Sequence, residues 1–177
     1  MDASHFVWQG FVGFLWCFFK VWQRSPNGRK RFNVLGALNA ISLQTLCVCN
    51  DSSIGSWAIV EMFWILRARF RETRIPITIV LDNASYQRCY LVLHLAKLMG
   101  IELLFLPPYS PNLNLIERFW KLVKKRTLAA KEYATFEEFC QAIQSFVERA
   151  HLDHSDELRT LLTLRFQTLP EVTQMAA

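Results

Sequence analysis

The first third of the chain alternates short apolar runs with turn-forming residues. The run FVWQGFVGFLWCFFKVW (6–22) is rich in aromatic and β-branched residues and contains internal glycines, which is typical of buried strands. The turn sequence SPNG (25–28) separates it from FNVLGALNAIS (32–42) and LQTLCVCND (43–51). We therefore predict three consecutive β elements arranged as a meander.

The middle of the chain alternates helical and strand patterns. SWAIVEMFWILRARFRE (56–72) predicts a helix with Ser56 as its N-cap. IPITIVLDN (75–83) is a continuous apolar run that ends in a carboxylate, as in a strand buried on both faces. SYQRCYLVLHLAKLMG (85–100) has helical periodicity and IELLFLP (101–107) predicts another strand. These segments indicate a βαβ unit with parallel strands.

The last part of the chain is helical in pattern. Helices are predicted from about Asn114 to Leu128, over FEEFCQAIQSFVERAH (136–151) and over DELRTLLTLRFQTL (156–169). The order of elements predicts an α/β fold with a mixed sheet and helices on both of its faces. Ligands of such sheets bind beyond the carboxyl ends of the parallel strands, which is where Asp82 lies.

Composition restricts the class of protein. Hydrophobic residues make up 52% of the 177 residues, which is enough for a core and argues against disorder. The five Cys form no CxxC pair, so neither a disulfide framework nor a zinc site is indicated, and a cytoplasmic location is expected. The run at 6–22 is interrupted by Gln9, two glycines and Lys20 and lacks the ~20 apolar residues of a spanning helix, so we expect no membrane segment.

Charge is divided unevenly along the chain. Residues 1–131 carry 17 Lys and Arg against 7 Asp and Glu, whereas residues 132–177 carry 3 against 8. The basic residues cluster in RSPNGRKR (24–31) and KLVKKR (121–126). Each cluster alone is explained equally well as a solvated surface. Two clusters flanking one candidate site favour a partner with a phosphate backbone.

Glu117 has two interpretations. With Asn114 it matches a capping box, in which Asn114 is the N-cap and Glu117 lies three residues into the helix. Helical geometry also places Glu117 at the edge of the apolar arc that faces the sheet, with Lys121 and Lys124 on the same side. A carboxylate in this position can bind a metal ion while the lysines bind phosphate. The residues alone leave both interpretations open.

Asp82 is also open to two interpretations, because Asp and Asn are common in turns after strands. In the simpler interpretation, Asp82 and Asn83 only begin a loop. The chemical one is that carboxylates converge to hold two Mg²⁺ ions about 3.5–4 Å apart for phosphodiester cleavage. Carboxylates packed close together without metal repel one another, so raised pKa values and metal dependence are expected.

Segments of the chain resemble, in order, the DDE transposases of the IS630 group, within the IS630/Tc1/mariner superfamily. They are DASHFVWQGFVGFLW with RFNVLGALNA, then LDNASYQ, then LPPYSPNLNLIERFWKLVKK, and they cover residues 2 to about 130. The pattern P-x-S-P-x-L-N-x-I-E-x-x-W is the specific part. The 34 residues between Asp82 and Glu117 match the spacing typical of the superfamily.

The resemblance implies a ribonuclease-H-like fold with a mixed sheet of about five strands. It implies that Asp2, Asp82 and Glu117 form a catalytic and metal-binding triad, contributed by the first strand, the end of the fourth strand and a following helix. Two Mg²⁺ or Mn²⁺ ions are the implied cofactors. The implied reaction is hydrolysis of a phosphodiester at the end of an insertion element, followed by attack of the freed 3′-hydroxyl on target DNA.

The resemblance also divides the chain and predicts its partners. Residues 1–130 correspond to the catalytic domain with a truncated first strand, and residues 131–177 to a helical extension packed on it. Family members carry an N-terminal helix-turn-helix region that binds the inverted repeats, whereas this sequence begins one residue before Asp2. A split transposase, a misplaced start and a decayed remnant are open explanations. The expected partners are DNA, a separate helix-turn-helix half and a second copy of the chain. The alternative function is a non-catalytic DNA-binding or regulatory fragment.

Other residues near these motifs carry simpler expectations. Asn83 is expected to orient the loop after Asp82, and Tyr109 to contact DNA. We expect Trp120 to be a core residue, and His5 to be structural because it points away from Asp2. Phosphate contacts are expected from six basic residues, Arg29, Lys30, Arg31, Lys121, Lys124 and Lys125.

Overall fold

The computed structural model describes residues 1–8, 18–19, 30–71, 76–108, 110 and 113–164. The predicted turn at 25–28 and most of the predicted strand at 6–22 lie outside these residues. The described elements follow the predicted order of three strands, a helix and then β-α-β-α. They are β1 (Asp2–Trp8), β2 (Lys30–Leu38), β3 (Thr45–Asn50), α1 (Ser56–Arg69), β4 (Ile77–Leu81), α2 (Tyr90–Leu98), β5 (Ile101–Phe105), α3 (Leu115–Thr127), α4 (Phe136–Asp153) and α5 (Ser155–Leu161).

The five strands lie in two sheets. β1, β2 and β3 form the predicted antiparallel meander, in which Asp2 lies opposite Gly36. β4 and β5 form a separate parallel pair, which confirms the βαβ unit. The amino group of Met1 donates a hydrogen bond of 2.7 Å to the carbonyl oxygen of Val80, so the start of β1 lies against β4. The α/β class is confirmed, while the described strand pairing does not join all five strands into one sheet.

Helices cover both faces of the three-stranded sheet, because alternate residues of its strands point to opposite sides. α3, α4 and α5 pack on one face around Phe6, Phe32 and Val34. α1 packs on the other face around Leu35 and Val48, and this second core continues into β4, β5 and α2. α4 therefore shares a core with α3 and the sheet, and a domain boundary at residue 130 stays a prediction.

Two helix ends, the start of α1 and the end of α5, differ from expectation. Ser56 is not the N-cap of α1, because the carbonyl oxygen of Gly55 already accepts the first helical hydrogen bond, from Ala58, at 3.1 Å. Gly100 does follow the end of α2 with a left-handed φ of 61°. α5 is shorter than the predicted 156–169, and residues 165–169 lie outside the described part of the chain. Within the described ranges, no helix combines the length and the hydrophobicity that a membrane span requires.

Gly36 allows α3 to approach the sheet closely. A Cβ atom at this position would lie 2.7 and 2.8 Å from two ring carbons of Trp120 and 3.1 Å from the Cδ1 atom of Ile116. The Trp120 ring is 2% exposed and also packs against Phe6 and Phe119, with centroid separations of 6.2 and 5.5 Å. The expected core role of Trp120 is confirmed, and the ring has no free space in which to move.

We expect Gly36→Ala to lower the free energy of unfolding by about 1–3 kcal/mol, because the added methyl group overpacks a rigid aromatic contact. Urea denaturation at neutral pH measures the change. Gly55→Ala is the matched control, since no atom lies within 4 Å of a Cβ added there. Equal losses in the two variants would show that the Trp120 contact is not tight.

Candidate active site

The three acids implied by the resemblance come from three separate elements. Asp2 opens β1, Asp82 directly follows β4, and Glu117 lies in the first turn of α3. Asp2 is 7% exposed, whereas Glu117 is half-buried and Asp82 is exposed. Burial, the charge of Glu117 and then that of Asp82 raise the pKa of Asp2 to about 6. Both other carboxylates therefore lie close enough to Asp2 to influence its protonation.

Trp120 connects α3 to the first strand at this point. Its Nε1 atom donates a hydrogen bond of 3.1 Å to the Oδ2 atom of Asp2. A backbone hydrogen bond from Ala3 also reaches the Asp2 carboxylate and partly opposes the rise in its pKa. Because Glu117 lies three residues before Trp120 on the same helix, the bond that orients Asp2 also sets the position of Glu117 relative to it.

A buried glutamine contacts the loop that carries Asp82. Gln87 is 1% exposed, and its Oε1 atom accepts the backbone N–H groups of Asn83 and Ala84 at 3.0 and 3.1 Å. Its Nε2 atom donates to the Oδ1 atom of Asp82. Asn83 has a left-handed φ of 79°, which asparagine adopts more readily than most residues and which supports its expected role in shaping the loop. Sequence reasoning misses Gln87, because a glutamine in a turn carries no signal that it is buried.

Two further groups near the aspartates also escape sequence reasoning. Burial raises the pKa of Tyr86, and the charges of Asp82 and Asp2 add to that rise. Burial lowers the pKa of the Met1 amino group to about 6, against the opposing effects of Asp2 and Asp82. The only sequence signal for Tyr86 is its place four residues after Asp82. The acids are therefore accompanied by a phenol and an amino group, and burial is strongest at Asp2 and at the Met1 amino group.

The start of α3 bears on the two interpretations of Glu117. Asn114 is the N-cap as predicted, yet no side-chain capping hydrogen bond forms there. The Glu117 N–H group donates to the backbone carbonyl oxygen of Asn114 at 3.1 Å. Asn114 is 4% exposed, and its Nδ2 atom has no hydrogen-bond partner among the described residues. The capping box is therefore not formed, and the Glu117 side chain is not engaged in it.

The expected phosphate-binding residues lie in two places. Lys121, Lys124 and Lys125 are exposed on α3, and the Lys124 ammonium group lies 5.8 Å from the ring centroid of Phe6 on β1. The three lysines therefore lie farther along α3 than Glu117, and Lys124 lies against β1 of the sheet. Lys30 pairs with Trp8 at the other end of β1, six residues and about 20 Å along the strand from the position of Asp2.

The remaining predicted residues lie apart from the acids. Arg31 is exposed beside Lys30, and the Lys30 ammonium group lies 5.2 Å from the ring centroid of Phe136. His5 is exposed and its Nδ1 atom lies 2.6 Å from the Oδ1 atom of Asn33, which agrees with a structural role. Two predicted residues, Arg29 and Tyr109, lie outside the described residues.

The three acids have the chemical type that a hard divalent cation requires, but their side chains are not placed together around one position. Carboxylate oxygens are the ligands that Mg²⁺ and Mn²⁺ prefer. The pKa of Asp2 is raised by burial first and then by repulsion from Glu117 and Asp82, and a cation would relieve that repulsion. The Oδ1 atom of Asn83 is a further oxygen without a hydrogen-bond partner in the described part of the chain. However, no three His, Cys, Asp or Glu side chains among the described residues are placed so that together they could hold a metal ion.

The chain is an α/β domain in which acids from a strand, from the loop after another strand and from a helix influence one another, with exposed lysines farther along that helix. A profile described as DDE superfamily endonuclease matches residues 20–140, and the chain therefore belongs to this family. The matched range includes Asp82 and Glu117 and excludes Asp2. No curated protein sequence matches the chain.

Solved structures share the fold. The Mos1 mariner paired-end complex with Mn superposes with a TM-score of 0.59 at 11% identity, over 94% of this chain and 55% of that chain. The Mos1 transposase paired-end complex with the left transposon end gives 0.58 at 10% identity, over 92% and 55%. A chain of the simian T-cell lymphotropic virus intasome in complex with PP2A regulatory subunit B56 gamma gives 0.51 at 18% identity, over 99% and 58%. The chain thus spans little more than half of each of these proteins.

We expect the stability of the wild type to fall, relative to Asp2→Asn, as the pH rises from about 4 to about 6. The folded protein keeps a proton on Asp2 up to a pKa of about 6, above the ordinary value of 3.8, so the folded state binds more protons in this window and loses stability through it. The asparagine retains an oxygen for Trp120 and does not titrate. The expected relative loss is about 2–3 kcal/mol, at about 1.4 kcal/mol for each pKa unit.

Urea denaturation in EDTA at several pH values measures this difference. Staying below about pH 6 limits the contribution of the Met1 amino group, whose lowered pKa of about 6 changes stability in the opposite direction at higher pH. Parallel pH profiles for the two proteins would mean that Asp2 is not under the influence of burial and of the other two acids.

Proposed function

We propose that this chain is the catalytic domain of a DDE transposase of the IS630 group, which cuts DNA at the ends of an insertion element and joins them to target DNA. One observation carries the proposal. Three separate elements contribute Asp2, Asp82 and Glu117. The charges of Glu117 and Asp82 raise the pKa of Asp2, in addition to the larger effect of burial. Membership of the DDE superfamily endonuclease family supports nuclease chemistry, and the likeness to Mos1 supports the fold.

Asp2, Asp82 and Glu117 would hold one or two Mg²⁺ or Mn²⁺ ions, with Asp2 oriented by Trp120. When bound, such ions stabilise charge on a phosphodiester and lower the pKa of an attacking water. Asp2 and Glu117 must both be ionised for this task. Burial and the charge of Glu117 oppose the ionisation of Asp2, so a cation would add most to the stability of the site above the pKa of Asp2, about 6.

We also propose that the two sheets belong to one ribonuclease-H-like sheet in which β1 lies beside β4. The hydrogen bond from Met1 to the carbonyl oxygen of Val80 supports this, since it brings the start of β1 to the edge of β4. In this arrangement residues 1–130 are the catalytic domain, and α4 and α5 belong to an extension that completes the core on one face.

DNA is the proposed substrate and partner. The helix that carries Glu117 also carries Lys121, Lys124 and Lys125. A DNA strand whose phosphates bind these lysines would therefore lie close to the acids. Lys124 packs over Phe6 on β1, and Lys30 on β2 pairs with Trp8 at the far end of β1, which extends the basic surface along the sheet. A separate helix-turn-helix half and a second copy of the chain are further proposed partners. The helix-turn-helix half would recognise the element ends.

A non-catalytic DNA-binding fragment is the second candidate. It is favoured by the absence, within the described residues, of any three side chains placed to hold a metal ion. This candidate needs the lysines of α3 and does not need the acids. Metal-dependent stability and cleavage therefore separate the two functions.

We expect the purified chain to nick supercoiled plasmid DNA in the presence of Mn²⁺. Asp82→Asn and Glu117→Gln should each reduce nicking more than about 100-fold, because changes to outer-sphere partners of a metal site alone cost about 10–100-fold. Glu61→Gln is the control, since this exposed acid lies on α1 away from the site. Gel electrophoresis of the plasmid forms measures the rates.

Thermal melts of the same proteins give a readout that does not depend on turnover. Mn²⁺ should raise the melting temperature of the wild type and of Glu61→Gln, and not that of Asp82→Asn, because only a ligand bound by the folded state adds stability. DNA binding without nicking, in a protein whose melting ignores Mn²⁺, would replace the catalytic proposal with the DNA-binding fragment.

We expect the triple substitution of Lys121, Lys124 and Lys125 by alanine to weaken DNA binding and to flatten its salt dependence. Each lost phosphate contact reduces the slope of log K against log salt by about 0.9, so the full change is up to about 2.7. Fluorescence anisotropy with a labelled duplex at several salt concentrations measures it. The control removes the same charge from exposed Arg69, Lys97 and Arg159, and an equal effect there would point to net charge alone.

A further inference from the structure

The Gln87 side chain makes hydrogen bonds at both ends of its amide group. Its Oε1 atom accepts the N–H groups of Asn83 and Ala84, and its Nε2 atom donates to Asp82. An amide oxygen has two lone pairs, so the two backbone donors use its full capacity, and the Asp82 carboxylate accepts one of the two protons of the amide nitrogen.

This pattern allows only one orientation of the amide. Rotation by half a turn would place the amide oxygen against the Asp82 carboxylate and the NH₂ group against two backbone donors. Because Gln87 is 1% exposed, water cannot compensate for the lost hydrogen bonds. The buried amide is therefore a fixed donor on the protein side of Asp82.

Asp82 differs from Gln87 in its surroundings. The carboxylate is exposed, on a loop that turns through the left-handed Asn83 directly after β4. An exposed aspartate on a turn ordinarily samples several rotamers, and ordering it in one of them costs conformational entropy at each binding event. A donor fixed from the buried side removes that freedom before a ligand arrives, and it engages Oδ1 while Oδ2 remains for another partner.

We propose that Gln87 is the positioning residue for Asp82, and that its amide sets the affinity of the site for a divalent cation. The inference rests on the proposed function, since it assigns to Asp82 the metal-binding role given above. Gln87 contacts neither the cation nor DNA. It acts by holding the Asp82 carboxylate and the Asn83–Ala84 backbone in one arrangement.

The first test compares Gln87→Leu with Val92→Ala in thermal melts across a Mn²⁺ titration. Both residues are buried, Gln87 beneath Asp82 and Val92 in the second core. Both variants should melt below the wild type. Gln87→Leu should need about 10–100-fold more Mn²⁺ for its half-maximal stabilisation, the usual effect of removing an outer-sphere partner, whereas Val92→Ala should need the wild-type concentration.

A metal-free cycle tests the contact itself. Gln87→Leu should lower the melting temperature less in an Asp82→Ala background than in the wild type, because residues in direct contact do not contribute additively. Additive losses would overturn the proposal whether or not the chain binds metal. Exchange of the Gln87 side-chain amide protons, measured by NMR on the wild type, needs no Gln87 variant. The proposal requires slower exchange there than in the exposed Gln141, and faster exchange in Asp82→Ala.

The outcomes separate this inference from the proposed function. If Asp82→Asn abolishes the Mn²⁺ response while Gln87→Leu keeps the wild-type midpoint, the metal site stands and the role of Gln87 is overturned. If the wild type shows no Mn²⁺ response, the proposed function fails together with the claim about affinity, and the metal-free cycle then decides whether Gln87 positions Asp82 at all.

Discussion

The contact of Trp120 with Asp2 above Gly36 holds α3 against the three-stranded sheet and orients the most buried acid of the site. The ring reaches Asp2 only because Gly36, the residue opposite Asp2 in the sheet, has no side chain. The same ring fills the core between α3 and the sheet, with Phe6 and Phe119 around it. A single side chain thus connects the packing of a helix with the orientation of a buried carboxylate.

This arrangement stabilises the fold, but it disfavours the ionised form of Asp2. Burying Asp2 among other acids raises its pKa to about 6, so near neutral pH the folded protein carries an ionised carboxylate in surroundings that disfavour it. A purely structural acid in this position would be better replaced by a neutral residue, since an unpaired buried charge is costly. A cation that neutralises the cluster would turn the same repulsion into binding free energy, which is the physical basis of the proposed metal-dependent chemistry.

The site shows where sequence reasoning succeeds and where it stops. Asp82 and Glu117 are identifiable because each follows a strong local pattern, the end of an apolar strand and the first turn of an amphipathic helix. Asp2 has no such pattern. Only the resemblance identifies it as a candidate, although it is the most buried of the three acids. The capping box at Asn114 is a correct local pattern whose side-chain hydrogen bonds the tertiary packing does not form.

Local sequence patterns specify the order of strands and helices, the parallel βαβ unit and the charged face of α3, because periodicity, turn residues and helix ends act within a few residues. Tertiary packing determines which elements meet. It divides the strands between two sheets, buries Gln87 beneath Asp82, and brings Asp2 to Trp120, 118 residues away in sequence. Burial and pKa depend on such distant neighbours, and no local pattern in the chain encodes them.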